Sequence, residues 1–129
     1  MTDDAFMELV DQGIAALRPD IRARLTNVAI IITDEPTPEQ RVELGLEPSE
    51  YLFGLYEGIP QTDRGLGGEG EVLLPDKITI FKLPILAAYT DPADIAACVE
   101  NTIWHEVAHY FGMDEAEVEV EELRRGKVL

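Results

Sequence analysis

Cysteine and histidine are scarce in this 129-residue chain, which contains one cysteine and two histidines. The single cysteine excludes both an internal disulfide and a thiolate cluster that could hold a structural zinc ion. Basic residues are also few, since ten Lys and Arg stand against 26 Asp and Glu and give a formal net charge of -16. So acidic a surface repels phosphate groups, and we therefore expect neither nucleic acid nor an anionic membrane as a partner.

Long hydrophobic runs are missing as well. The longest purely aliphatic run covers residues 28–32, whereas a helix that spans a bilayer needs about 20 apolar residues. The first residues, MTDDAF, lack the basic and apolar regions of a signal peptide, so we expect a cytoplasmic protein. Apolar residues still make up 46% of the chain, and its length is typical of one hydrophobic core, which predicts a single domain over residues 1–129.

Hydrophobic spacing in the first two thirds of the chain predicts both helices and strands. Residues 6–17 carry apolar side chains at helical spacing, and Thr37 begins a capping box for a short second helix. Residues 27–33 form a β-branched run that is apolar throughout, which predicts a central strand buried on both faces. Residues 51–56 and 77–81 predict two further strands.

The strongest helix signals come later in the chain. Asp91 can cap the first backbone N–H groups, Pro92 suits the first helical position, and Gly112 supplies a stop. The helix between them would cover about twenty residues and therefore about 30 Å, roughly the diameter of a domain of this size. We therefore expect this helix to run through the centre of the fold.

Both histidines of the chain lie on this helix, in the motif HEVAH at residues 105–109. On a helical wheel of about 100° per residue, apolar residues cover nearly half the circumference, and His105, Glu106 and His109 share the sector that they leave open. Two imidazoles one turn apart can each place a nitrogen about 2.0–2.1 Å from one zinc ion. The alternative is that the HEVAH pattern arose by chance. The position of the motif on the open face of a predicted helix favours a metal site instead.

A zinc ion held in this way predicts hydrolysis of a peptide or amide bond. Zinc lowers the pKa of a bound water molecule, and Glu106 can act as the general base that accepts its proton and passes it to the departing amine. A third histidine ligand is excluded, and Cys98 lies about 10 Å along the helix axis from His105, too far to reach the same ion. An oxygen ligand from just past Gly112 is therefore expected, which leaves Asp114 and Glu115 as candidates.

The segment HEVAHYFGMDE, residues 105–115, resembles the HExxHxxGxxD signature of small bacterial zincin-type metallopeptidases, which are close to a minimal metzincin. The phrases LFGLYEGIPQTDRG at residues 52–65 and LPDKITIFK at residues 74–82, with the residues around Trp104, extend the resemblance over most of the chain. The resemblance implies a compact α+β domain in which a small mixed sheet packs against a long central active-site helix. It also implies a zinc-dependent hydrolase whose partner is a peptide or protein substrate.

The chain departs from this signature at two places. The sixth residue after His109 is Glu115 where the signature has Asp, and Asp114 comes one residue earlier. No methionine follows Met113, so the Met-turn of true metzincins is absent. Two functions remain, a zinc metallopeptidase and a metal-stabilised interaction domain with a slow or inactive zincin site, and the retention of Glu106 between the two histidines favours the first.

Further expectations concern the substrate and the neighbouring side chains. An extended peptide would lie along an edge strand formed by residues 52–56 or 78–81. Tyr56 and Tyr89 are candidate phenols for stabilising an oxyanion, although a packing role is preferred for both. Cys98 is expected to be a buried thiol.

Replacing the two candidate third ligands one at a time tells them apart. We expect Glu115→Ala to weaken zinc affinity by more than about 100-fold, because loss of a direct ligand exceeds the effect of losing an outer hydrogen-bond partner. Asp114→Ala should mainly lower stability, by about 1 kcal/mol, as loss of a helix cap does. Competition with a chromophoric chelator measures the affinity, and a loss confined to Asp114→Ala would assign the ligand to Asp114 instead.

Overall fold

The computed structural model describes residues 1–58, 76–113 and 116–117, and within these ranges the chain forms five helices and three strands. The elements are α1 (Asp3–Ala15), α2 (Pro19–Ala23), β1 (Val28–Thr33), α3 (Pro38–Glu43), β2 (Gly54–Glu57), β3 (Asp76–Phe81), α4 (Lys82–Ala88) and α5 (Pro92–Tyr110). All three strands occur close to where apolar runs predicted them. Helix α4 was not predicted, because a short apolar segment directly after a strand lacks the helical periodicity that would reveal it.

The three strands form one mixed sheet in the order β1-β3-β2. β3 pairs in parallel with β1, where Ile30 is opposite Ile78, and antiparallel with β2, where Tyr56 is opposite Ile78. The middle of the described sheet is therefore β3, whose Ile78 and Ile80 are fully buried. The prediction of residues 27–33 as a central strand buried on both faces was wrong for the described sheet, because β1 lies at one end of the described strand order and is only partly buried. An apolar run predicts a strand but does not determine its neighbours within the sheet.

The predicted starts of α3 and α5 are confirmed. Thr37 forms a complete capping box with Gln40 at the start of α3. Asp91 accepts a hydrogen bond at 2.8 Å from the N–H of Ala93, and Pro92 occupies the first position of α5. These capping hydrogen bonds join residues within one helical turn, so they do not depend on how the rest of the chain folds.

Helix α5 lies in the middle of the packing and contacts α1, α4 and both β2 and β3. Its apolar stripes are buried as the helical wheel predicted, with Val99, Ile103 and Val107 all inaccessible to solvent. The expected α+β arrangement, a small mixed sheet packed against a long central helix, is thereby confirmed. In the described ranges no helix has both the length and the apolar character needed to cross a bilayer.

The contact between α1 and α5 centres on Ile103. This side chain is fully buried, and a Cβ atom added to Gly13 of α1 would lie 2.6 Å from its Cδ1 atom. We expect Ile103→Ala to lower the free energy of unfolding by about 2–5 kcal/mol, because it removes buried methyl groups and leaves a cavity. Met7→Ala, at a side chain of α1 that is 49% exposed, is the control and should change stability by less than about 0.5 kcal/mol. Urea unfolding measures both, and equal effects would contradict this account of the core.

Candidate active site

One cleft of about 650 Å³ brings together the three residues that the HEVAH motif indicates. His105 and His109 are half-buried and Glu106 is 8% exposed, and all three line this cleft. The rest of the lining comes from β2, from the chain between α3 and β2, and from the turn after α5: Leu44, Leu46, Leu52, Gly54, Leu55, Tyr56, Gly112 and Met113. The sector of α5 left open by the apolar stripes therefore faces a cavity large enough for part of a ligand.

The turn that ends α5 fixes the orientation of His109. Gly112 has a φ of 82°, in the left-handed region that glycine adopts without a steric penalty. Its N–H donates to the His109 carbonyl at 2.9 Å and the N–H of Met113 donates to the Ala108 carbonyl at 3.1 Å, which is a Schellman motif. This turn places the Met113 carbonyl 3.1 Å from Nδ1 of His109. Because a carbonyl only accepts, Nδ1 carries the proton, and in the neutral ring Nε2 then presents a lone pair.

The spacing of the two imidazoles fits one shared zinc ion. The ring centroids of His105 and His109 lie 5.0 Å apart, with the ring planes at 71°. A ring that binds zinc through nitrogen at about 2.0–2.1 Å has its centroid about 3.2 Å from the metal, so two rings at a tetrahedral angle have centroids about 5.2 Å apart. The observed separation agrees with this value. The hydrogen bond from His109 to a backbone carbonyl is also typical of histidines that bind a metal.

The two residues predicted as the third ligand lie outside the described ranges. Within the described ranges, no group of three His, Cys, Asp or Glu side chains is placed to hold a metal ion. Asp114 and Glu115 both fall outside these ranges, so their assignment stays a prediction. Cys98 is 1% exposed, and burial raises the pKa of its thiol, which disfavours the thiolate that a metal requires. The prediction of a buried thiol at Cys98 is confirmed.

Glu106 is positioned by an unusually close approach of β2 to α5. A Cβ atom on Gly54 would lie 2.6 Å from Cγ2 of Thr102 and 3.1 Å from Cγ of Glu106, so no side chain fits at this point of the strand. Thr102 is itself held in place, because its hydroxyl donates to the Cys98 carbonyl at 2.7 Å. Sequence reasoning did not identify Gly54, although a glycine within a strand pattern is a known signal of close backbone approach.

The two candidate phenols occupy different places. Tyr56 lines the cleft, but its hydroxyl donates to Oδ2 of Asp76 at 2.7 Å. Tyr89 does not line the cleft, and its ring packs 6.2 Å from that of Phe53. Asp76 is only 4% exposed and was not predicted as a site residue; an acidic residue at the start of a buried strand was the available signal. The hydrogen bond to Asp76 directs the Tyr56 hydroxyl proton to this carboxylate, so a positioning role fits Tyr56 better than oxyanion stabilisation.

The contact at Gly54 can be tested by a double-mutant cycle. We expect Gly54→Ala to destabilise the protein by about 1–3 kcal/mol, because the added methyl group overpacks the interface between β2 and α5. Thr102→Ser removes the methyl group that the new Cβ would meet and keeps the hydroxyl, so Gly54→Ala should cost less in the Thr102→Ser background. Thermal unfolding of the four proteins measures the coupling. An equal cost in both backgrounds would mean that Thr102 does not set the distance between the two elements.

Comparison with known proteins shows the family of this chain and supports its fold. The sequence pattern of the family described as zincin-like metallopeptidase matches residues 25–125, which is most of the chain. A solved structure of a conserved hypothetical protein from Thermus thermophilus is similar with a TM-score of 0.55 and 23% identity, over 97% of this chain and 99% of that one, which supports the fold. A search of curated proteins gave no match. The predicted resemblance to small zincin-type metallopeptidases is confirmed by the match over residues 25–125, and the chain belongs to the zincin-like metallopeptidase family.

Proposed function

We propose that this chain is a zinc-dependent peptidase in which His105 and His109 bind the metal and Glu106 is the general base. The observation that carries the proposal is the placement of these three side chains along one cleft of about 650 Å³. The match to the zincin-like metallopeptidase family supports it. Glu115 completes the proposed ligand set, with Asp114 as the alternative.

The proposed hydrolysis needs one group that both accepts and donates a proton, and we assign this role to Glu106. When bound, zinc is a Lewis acid that polarises a substrate carbonyl and makes water a stronger acid. Glu106 accepts a proton from water as the oxygen of that water bonds to the carbonyl carbon, and it donates the proton to the amine nitrogen as the carbon–nitrogen bond breaks. The hydrogen bond from His109 to the Met113 carbonyl holds this imidazole in one orientation.

The proposed substrate is an extended peptide that adds a strand beside β2. Such a peptide binds by pairing its backbone with an exposed sheet edge. Residues 78–81 cannot provide this edge, because they belong to β3, which pairs with β1 on one side and β2 on the other. β2 lies at one end of the described strand order and also lines the cleft, so residues 52–56 are the proposed docking segment.

The Glu106→Gln variant tests the proposed mechanism. We expect the purified wild-type chain to carry about one zinc ion, as the donor set favours zinc over magnesium or calcium. Glu106→Gln should keep the zinc but lower hydrolysis of a peptide library by at least about 100-fold, because an amide cannot accept the proton. Asp94→Asn is the matched control, since it removes one carboxylate from an exposed position of the same helix. Elemental analysis and mass spectrometry of the digests give the two readouts.

The other outcomes of this experiment are informative. A Glu106→Gln variant as active as the wild type would remove Glu106 from the mechanism. Absence of a transition metal, even after zinc addition and dialysis, would contradict the metal centre. Bound zinc without hydrolysis of any peptide by the wild type would favour the alternative function, a metal-stabilised interaction domain with a slow or inactive site.

A further inference from the structure

The cleft has an apolar part that the proposed chemistry does not use. Leu44, Leu46 and Leu52, here called the leucine wall, line the same cleft as the HEVAH side chains. Leu44 is 45% exposed, and Leu46 and Leu52 are half-buried, so apolar surface remains in contact with solvent. Covering such surface with another apolar group is favourable, so the leucine wall is a candidate binding surface for an apolar side chain.

The segment that carries the leucine wall is held by Arg41 of α3. The Arg41 carbonyl accepts from the N–H of Leu46 at 3.0 Å, which fixes the turn after the helix. Its guanidinium nitrogen Nη2 donates to the carbonyl of Glu47 at 2.7 Å and to that of Glu50 at 3.5 Å. One residue therefore fixes the chain at several points between Leu44 and Leu52.

A second contact joins this segment to the strand beside the motif. The side-chain amide nitrogen Nε2 of Gln40 donates to Oε1 of Glu57 at 3.3 Å, which connects α3 to the last residue of β2. The same strand meets α5 at Gly54. The leucine wall and the HEVAH side chains are thus connected through β2. Because these contacts order the pocket before a ligand binds, binding costs little conformational entropy.

We propose that the leucine wall selects the substrate, so that the site takes peptides with a large aliphatic residue, Leu, Ile or Met, within a residue or two of the cleaved bond. This inference rests on the proposed peptidase function for its cleavage step. Burying one such side chain against the leucine wall should favour a peptide over its glycine or aspartate counterpart by about 10- to 100-fold. Arg41 is a positioning residue in this account.

Binding and cleavage are measured separately, so that failure of the inference differs from failure of the proposed function. A positional-scanning peptide library is first equilibrated with zinc-loaded Glu106→Gln protein, and retained peptides are identified by mass spectrometry. The same library is then digested with the wild-type protein. We expect enrichment of Leu, Ile and Met at one position by about 10- to 100-fold. We expect the same residues to flank the cleaved bonds.

Variants of the leucine wall assign the preference to these residues. Leu46→Asn and Leu44→Asn should each reduce the enrichment by about fivefold or more, because they replace apolar surface with an amide. Leu44 is the safer substitution for folding, as it is 45% exposed. Leu83→Asn is the matched control, because Leu83 is 46% exposed and lies outside the cleft, and it should leave the preference unchanged. Arg41→Lys should raise KM for the preferred peptides with little change in kcat, since it disturbs only the leucine wall.

Two kinds of result would overturn the inference, and a third would refute only the proposed function. Retention of peptides without regard to apolar character, or no retention at all, would show that the leucine wall does not bind a side chain. An enrichment that survives both leucine variants would place the preference elsewhere. Selective retention of aliphatic peptides without cleavage by the wild type would uphold the leucine wall as a peptide-binding surface and refute the peptidase proposal alone.

Discussion

The contact between β2 and α5 at Gly54 is the constraint on which the geometry of the candidate site depends. A strand and a helix usually keep a layer of side chains between them, but at this point the strand backbone lies directly against Thr102 and Glu106. The exclusion of a Cβ atom brings one end of the described sheet to the helix turn that carries the motif. The cleft is consequently bounded by a strand on one side and by the motif on the other, which is the arrangement that an extended ligand requires.

Helix α5 serves the fold and the candidate chemistry with different faces. Its buried face, which includes Val99, Ile103 and Val107, fixes the helix within the core, so the polar face has a rigid support. The helix and the turn that follows it, through the contact of His109 with the Met113 carbonyl, hold the two imidazoles at a centroid distance of 5.0 Å. The histidines also lie in the last turns of the helix, where the partial negative charge of the terminus favours a bound cation.

The opposite side of the cleft is built by a different part of the chain. The segment between α3 and β2 contributes leucines, and it is fixed by hydrogen bonds from Arg41 to backbone carbonyls. None of these contacts involves the HEVAH motif. The motif therefore carries the proposed bond-breaking step, while an independent segment with its own stabilising contacts carries the proposed choice of substrate. Such a division lets the apolar surface vary without disturbing the proposed metal ligands.

The sequence by itself determined the features that depend on near neighbours along the chain. The caps of α3 and α5, the burial of the α5 stripes and the common sector of His105, Glu106 and His109 all follow from spacings within a few residues. The family could also be recognised from the HEVAHYFGMDE segment, because the spacing of its histidines and glycine reflects the geometry of one helical turn and one helix stop.

Only the tertiary structure decided the features that join distant parts of the chain. It placed β3 rather than β1 in the middle of the described strands. It also brought Gly54 into contact with Thr102, and the Tyr56 hydroxyl into a hydrogen bond with Asp76. These contacts join residues that are 20 or more positions apart, as for Tyr56 and Asp76. Local spacing carries no information on such pairs, because strand order and the distance between a strand and a helix are set by how whole elements pack against one another.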